Sequence, residues 1–388
     1  MLVFPKEEFV ARNQKCIELM REKGLDAILA FTDYFKHASI RYLTGYTYQP
    51  VWLASSTYIL PREGEPTLLV DRFMDAVKEQ VWVSDVRTIS GWLERPGPAG
   101  TLLAVADATA EILREKGLER AKIGLIGYDI MPAMCFDRMK GRLPDAQFID
   151  VSEEFERLRM VKSDNEIALI KKANSIISKG YEAAIEAIRP GRTEADVGSA
   201  MMEALLDAGA DFILALWVVS GKAAERVYRT PLITNRELKK GDMVWMDCGM
   251  AYKGYFADVG RTTVVGKATE KQKRLCDAVL KMHKNAASIM KPGVKAGDIY
   301  EEMRRTAVET GYGDYFKPGG FVGHNIGVTL DDYPLIKPDE PTPLEKNMVM
   351  NIDPKLFVPG VGGARIEDSY LITEDGAKRL TKVPQKLW

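Results

Sequence analysis

Two folded parts are predicted for this chain: an α/β domain over residues 1–158, then an α+β domain with an internal pseudo-twofold duplication over 159–388. Three observations predict them. A length of 388 residues exceeds what one ordinary core fills. Helical and strand-like hydrophobic patterns alternate up to about residue 149. Finally, Pro190-Gly191, Asp196 and Gly209 recur 102 positions later as Pro292-Gly293, Asp298 and Gly311.

In the first part, an amphipathic helix is predicted from Phe9 to Lys23. Strands follow at Ala27–Phe31, Ser56–Leu60 and Pro66–Val70, then a helix-length segment around Leu102–Lys116 and a strand at Lys122–Ile126. A helical pattern with acidic residues near its start begins at about Ser152. Ser163-Asp164-Asn165-Glu166 reads as a new helix start, with Ser163 as capping acceptor and Glu166 three residues on. The boundary therefore falls between 155 and 162. In the second part each copy of the repeat follows one helix, contains another and leads into a strand pair, first Met243–Gly266 and then Val349–Thr373.

Charge and composition narrow the function. With 54 basic and 55 acidic residues the net charge is −1, which leaves no footprint for nucleic acid or an anionic membrane. A small molecule or a peptide is the expected partner. Cys16, Cys135, Cys248 and Cys276 are scattered and form no C-x-x-C pair, which fits a reducing cytoplasm. The opening residues lack the basic start and apolar run of a signal peptide, and no stretch of about 18 apolar residues occurs. Gly360-Val361-Gly362-Gly363 precedes a strand pattern rather than a helix, which argues against a phosphate loop.

The chemistry concentrates in the two strand pairs. Met243–Asp247 is a buried-strand run, Ala251-Tyr252-Lys253-Gly254 a turn, and Tyr255–Asp258 leads back out. A hairpin symmetric about that turn sets Asp247 opposite Asp258, with Cβ atoms about 4.5 to 5.5 Å apart. Asp353 and Glu367 are likewise equidistant from Gly360. Opposed carboxylates on apolar strands call for a proton or a cation between them. Four of them are neutralised by two divalent ions, and His324, flanked by Gly323 and Gly327, adds one nitrogen. An oxygen-rich set with a single imidazole suits Mn²⁺, Fe²⁺ or Co²⁺, with Zn²⁺ also admissible.

Asp247-x-Gly249, Gly254-Tyr255, Asp258, Arg261-Thr262, Gly323-His324-x-x-Gly327, Ile352-Asp353-Pro354 and Arg365-Ile366-Glu367-Asp368 resemble the pita-bread metallopeptidase family. That family includes methionine aminopeptidase, Xaa-Pro dipeptidase, aminopeptidase P and creatinase. The resemblance implies an N-terminal domain of the creatinase/prolidase type and a pita-bread domain, together with a homodimer. It also implies metal ligands at Asp247, Asp258, His324, Asp353 and Glu367, serving two divalent ions. In the dipeptidases a second histidine follows the first by about seven residues in a His-Glu-x-Pro setting. Here that stretch is Asp331-Asp332-Tyr333-Pro334. A further histidine is expected shortly after Ser220-Gly221, where this chain has Arg226, Tyr228 and Arg229. Asp353 stands where a glutamate is usual.

The reading is a metal-dependent hydrolase resembling Xaa-Pro dipeptidase, with an altered substrate. Asp353 or an adjacent carboxylate takes a proton from the attacking water, and Tyr228, Asp331 or Arg365 replaces the missing histidines. Arg226, Arg229 and Arg365 are candidates for a substrate carboxylate, and Trp217, Tyr228 and Tyr333 for a pocket wall. The alternatives are a non-peptide enzyme on the same fold, such as a creatinase- or ectoine-hydrolase-like C–N hydrolase or a dimethylsulfoniopropionate-lyase-like enzyme, and a non-catalytic binding protein. Asp331 and Asp332 read equally as pocket acids or as a solvated turn. His37 reads as a surface or interface residue, and His283, on a lysine-rich helix, as solvated.

Overall fold

The computed structural model describes residues 2–33, 38–47, 55–71, 73–89, 98–227, 231–317 and 319–388. The chain divides into two compact units, Met1–Leu158 and Arg159–Trp388. In the first, the order is α1 (Lys6–Lys23), β1 (Ala27–Thr32), α2 (Ala38–Thr44), β2 (Ser56–Pro61), β3 (Thr67–Val70), α3 (Met74–Lys78), β4 (Asp85–Thr88), α4 (Pro98–Glu115), β5 (Lys122–Ile126), α5 (Ala133–Arg142), β6 (Gln147–Asp150) and α6 (Ser152–Leu158). The six strands form one mixed sheet in the order β4-β3-β2-β1-β5-β6. β1 is buried at all six positions because both of its faces are covered, which is why its sequence is an apolar run rather than an alternation. Its Ala27, Leu29 and Phe31 pack with Val105, Leu113 and Met139 from α4 and α5. β4 and β6 are missing from the sequence reading because four residues of mixed burial carry too little periodicity to register.

The second unit runs α7 (Asp164–Ala187), α8 (Glu194–Asp207), β7 (Phe212–Ser220), β8 (Met243–Tyr252) and β9 (Tyr255–Val264). It continues with α9 (Glu270–Ile289), α10 (Ala296–Glu309), β10 (Gly323–Asn325), β11 (Asp332–Leu335), β12 (Val349–Ile352), β13 (Lys355–Val358), β14 (Gly362–Arg365), β15 (Asp368–Ile372) and β16 (Ala377–Arg379). The predicted capping box at α7 forms: Ser163 Oγ accepts from the Glu166 amide at 3.1 Å, and Glu166 Oε2 accepts from the Ser163 amide at 3.0 Å. The repeated sequence pattern proves to be helix punctuation. Gly191 and Gly293 take φ of 86° and 89° before α8 and α10, and Gly209 and Gly311 take 93° and 81° after them. Asp196 and Asp298 each accept the backbone amide three residues back, at 2.8 and 3.2 Å.

α7 and α8 cover the three-stranded sheet β7-β8-β9, burying Ile176, Tyr181, Met201 and Leu205 against Val244, Met246 and Val259. α9 and α10 do the same for the five-stranded sheet β11-β10-β12-β15-β16, through Leu275, Met282, Ile299 and Met303 on Met350, Ile352 and Ile372. Each such fully buried side chain contributes about 1.5–3 kcal/mol. The two sheets meet where Gly260 and Glu367 exchange backbone hydrogen bonds at 3.3 and 2.9 Å. Among the described residues no helix is long and apolar enough to cross a membrane.

Candidate metal centre

Lys253 and Gly254 form the two-residue turn between β8 and β9, with φ of 47° and 77° as a type I′ turn requires. The hairpin is therefore centred one residue later than the sequence symmetry suggests. Asp247 lies opposite Gly260, and Asp258 lies opposite Gly249. The predicted direct opposition of the two aspartates is corrected: they are diagonal neighbours on one face, a spacing of roughly 7–8 Å between such positions. The register explains the glycines. A Cβ on Gly260 would come within 3.0 Å of Arg365 Nε and of Glu367 Cβ, so its absence is what lets the second hairpin approach Asp247.

In the second hairpin β13 and β14 pair Lys355 with Arg365, and the preceding ladder pairs Ile352 with Asp368. Asp353 and Glu367 are at mutually facing positions between these two ladders. His324 is carried by β10, which pairs with β12. Its Nδ1 lies 3.0 Å from the Asn325 carbonyl, and this turns Nε2 toward the carboxylates. Nε2 is 3.7 Å from Asp258 Oδ2, 3.6 Å from Glu367 Oε1 and 3.3 Å from Asp331 Oδ1.

All five predicted ligands are thus buried in one cluster, but they separate into two groups. Asp258, His324 and Glu367 each offer a donor atom within 4.8 Å of the others. Asp258 Oδ1 is buried without a hydrogen-bond partner among the described residues, and Asn351 Nδ2 steadies Glu367 Oε1 at 2.8 Å. That donor set fits a divalent cation. On the other side, Arg365 Nε donates to Asp353 Oδ1 at 2.7 Å, and Nη2 donates to Asp353 Oδ2 at 2.9 Å and to Glu367 Oε2 at 2.7 Å. Arg365 Nη1 pairs with Asp247 Oδ2, and Lys355 Nζ with Asp353 Oδ2.

The electrostatics follow from this division. Burial pushes the Asp258 carboxyl well above the usual carboxylate range, reinforced by the charges of Glu367 and Asp247. Burial likewise raises Asp247 to about 7 against the pull of Arg365. Glu367 is buried too, but the Arg365 guanidinium and then His324 outweigh that penalty and hold it down at about 2. Burial disfavours charge on His324, yet its bond to Glu367 and the nearby Asp331 lift it to about 9. A divalent ion held among these groups would supply the positive charge that the crowded, buried carboxylates call for.

A model of metallopeptidase family M24 matches residues 168–374, more than half of the chain, and a model of the creatinase/prolidase N-terminal domain matches residues 12–161. The chain belongs to metallopeptidase family M24. The Xaa-Pro dipeptidase of Pyrococcus horikoshii is 33% identical over 257 residues, 66% of this chain and 72% of that protein. The Xaa-Pro dipeptidase of Pyrococcus furiosus is 35% identical over 241 residues, 62% of this chain and 68% of that one. Among solved structures, the prolidase from P. horikoshii OT3 superposes with a TM-score of 0.83 at 28% identity, over 97% of this chain and 100% of that one. A Xaa-Pro dipeptidase from Bacillus anthracis gives 0.84 at 26%, over 98% and 99%. This M24 chain accordingly has the creatinase-type N-terminal domain followed by the pita-bread domain and is a metal-dependent hydrolase of the peptidase type.

The remaining candidates of this M24 chain sort by position. Asp331 is half-exposed beside His324, whereas Asp332 is buried against Arg159 at 3.2 Å and Lys162 at 3.6 Å. Arg365 faces into the carboxylates and not outward to a substrate. Tyr333 Oη donates to Glu340 at 2.8 Å and is a structural tie, and Arg226 is exposed. Trp217 is half-buried on β7 opposite Asp247. Tyr228, Arg229 and His37 lie outside the described residues. His283 corrects the sequence reading: it is fully buried, with Nε2 3.3 Å from Asp368 Oδ2. Sequence reasoning missed Lys355 and Asn351. Both had a signal, since residues two positions from Asp353 share its face of an extended segment.

Proposed function

We propose that this chain cleaves the amide bond of a dipeptide or a small amide, using a divalent ion held by Asp258, His324 and Glu367. The observation that carries the reading is the buried three-donor cradle with Asp331 on its exposed rim. When bound, the ion supplies Lewis acidity and a water of lowered pKa. The donor set of five is large enough for two ions, and Mn²⁺ is the first to try, before Fe²⁺, Co²⁺ and Zn²⁺.

The protein's own groups then have distinct work. Asn325 and Asn351 orient His324 and Glu367. Both Asp353 oxygens are engaged by Arg365 and Lys355, so proton acceptance passes to Asp331, the half-exposed carboxylate beside His324. An anionic side chain at 331 cannot stabilise an oxyanion as a histidine does, so that task is assigned to Tyr228. The same negative rim favours a substrate with a cationic amino group next to the scissile amide, and this shifts selectivity away from that of a histidine-bearing site. The four described cysteines are buried and unpaired, which supports a cytoplasmic home, and a homodimer is the assembly to expect.

The test is product analysis of the Mn²⁺-loaded chain against Xaa-Pro dipeptides, other dipeptides, small amides and sulfonium acids. Amide hydrolysis that disappears in Asp258→Asn together with the bound ion is the expected result. An elimination product, or turnover indifferent to that substitution, would overturn the reading.

A further inference from the structure

We infer that the centre takes one divalent ion, and that the Lys355 ammonium, seated with Arg365 on Asp353, stands in the place of a second. The inference rests on the metal-dependent reading and revises only its ion count.

Charge decides it. Asp247, Asp258, Asp353 and Glu367 are all buried, and so are Arg365 and Lys355. Four carboxylates against two organic cations leave two negative charges, the complement of one divalent ion. A second ion, even accompanied by a hydroxide, would leave the enclosed cluster with one uncompensated positive charge, which only removal of the Lys355 ammonium would cancel, and a buried unpaired charge is far more costly than a vacant site.

Geometry places the retained ion. Every hydrogen bond from Arg365 and Lys355 into the cluster falls on Asp247, Asp353 or the Oε2 side of Glu367. Among the described residues no hydrogen bond reaches Asp258 Oδ1, and His324 Nε2 lies 3.7 Å from Asp258 Oδ2 and 3.6 Å from Glu367 Oε1. Lys355 and Arg365 are also direct cross-strand partners in the β13–β14 hairpin. Two cations opposite each other destabilise a ladder unless an anion lies between, and Asp353, one methylene shorter than a glutamate, meets both of them there. The lysine and the shortened acid therefore read as one compensated change: the carboxylate is held back on the ammonium.

The test counts ions by elemental mass spectrometry and by electron paramagnetic resonance after loading the full chain with Mn²⁺ and removing free ion. Wild type is expected to hold one Mn²⁺ with an uncoupled six-line spectrum. Lys355→Met is expected to hold two, with exchange coupling, while Lys355→Arg remains at one. Asp353→Asn gives a second, independent arm: it should keep its single ion, because Asp353 does not serve the retained position. Two ions in wild type, one ion in a folded Lys355→Met, or loss of the ion in Asp353→Asn would each overturn the inference. No bound Mn²⁺ in any folded form would instead remove the metal-dependent reading itself.

Discussion

Lowering the pH should destabilise the second unit through one buried imidazole. His283 on α9 ordinarily would titrate near 6.5, but burial, set against the attraction of Asp368, holds it down at about 4. Gln385 Nε2 donates to His283 Nδ1 at 3.2 Å and to Asp368 Oδ2 at 2.7 Å, so the neutral ring is held with its Nε2 proton toward Asp368. Between pH 6.5 and 4 the unfolded chain binds a proton that the folded chain refuses. Stability contributed by the neutral ring is therefore complete above 6.5 and is lost as pH falls, by about 1.4 kcal/mol per pH unit and about 3 kcal/mol in all. The ring is fully buried, so no screening discount applies. The assay is urea unfolding from pH 8 to 4, read by amide exchange in the peptides of α9, which reports this unit alone. His283→Gln should flatten the profile relative to wild type by that amount. Parallel profiles for the two proteins would refute the argument.

Arg261, itself fully buried, donates to the carbonyls of Gly260, Glu367, Pro384 and Val383 at 2.6 to 2.8 Å and to Asp368 Oδ1 at 2.5 Å. Arg261→Met leaves Asp368 Oδ1 and four carbonyls without their donor and should cost about 3–5 kcal/mol in urea unfolding; a loss below about 1 kcal/mol would show that the network carries little energy. Gly323 has φ of 155°, and a Cβ there would lie 2.3 Å from the Asn351 carbonyl oxygen. Gly323→Ala should lose about 1–3 kcal/mol and weaken Mn²⁺ binding in calorimetry, since it moves His324. Wild-type melting and affinity in that variant would contradict the packing.

How far the site was legible depended on whether its signal was local. Helix starts are local: Ser163 and Glu166 bond within four residues, so reading them needed no fold. The repeat was legible for the same reason, because Pro190-Gly191 and Pro292-Gly293 mark turns by backbone conformation alone. The strands of the first unit were found where they were long and apolar, as in β1 and β5, and lost where they were short, as in β4 and β6. His283 was misread because its own helix carries Lys281 and Lys284, whereas its burial comes from Asp368 and Gln385, about a hundred residues away.

By itself the sequence determined the two-part α/β and α+β class, the duplicated second part and the family, since hydrophobic period, turn residues and motif spacing are all written along the chain. Tertiary structure alone decided how the charged residues are shared out. One residue of hairpin register turned Asp247 and Asp258 from partners into diagonal neighbours. Packing sent Asp332 inward to Arg159 and Lys162 while leaving Asp331 on the rim beside His324. The approach of β13 and β14 brought Arg365 and Lys355 onto Asp247 and Asp353, leaving Asp258, His324 and Glu367 as the open donors. The physical reason is one of range: periodicity and capping act within a few residues, but the burial of a charge depends on which segments pack together, as Arg365 does with Asp247, 118 residues away, and Arg159 with Asp332, 173 residues away.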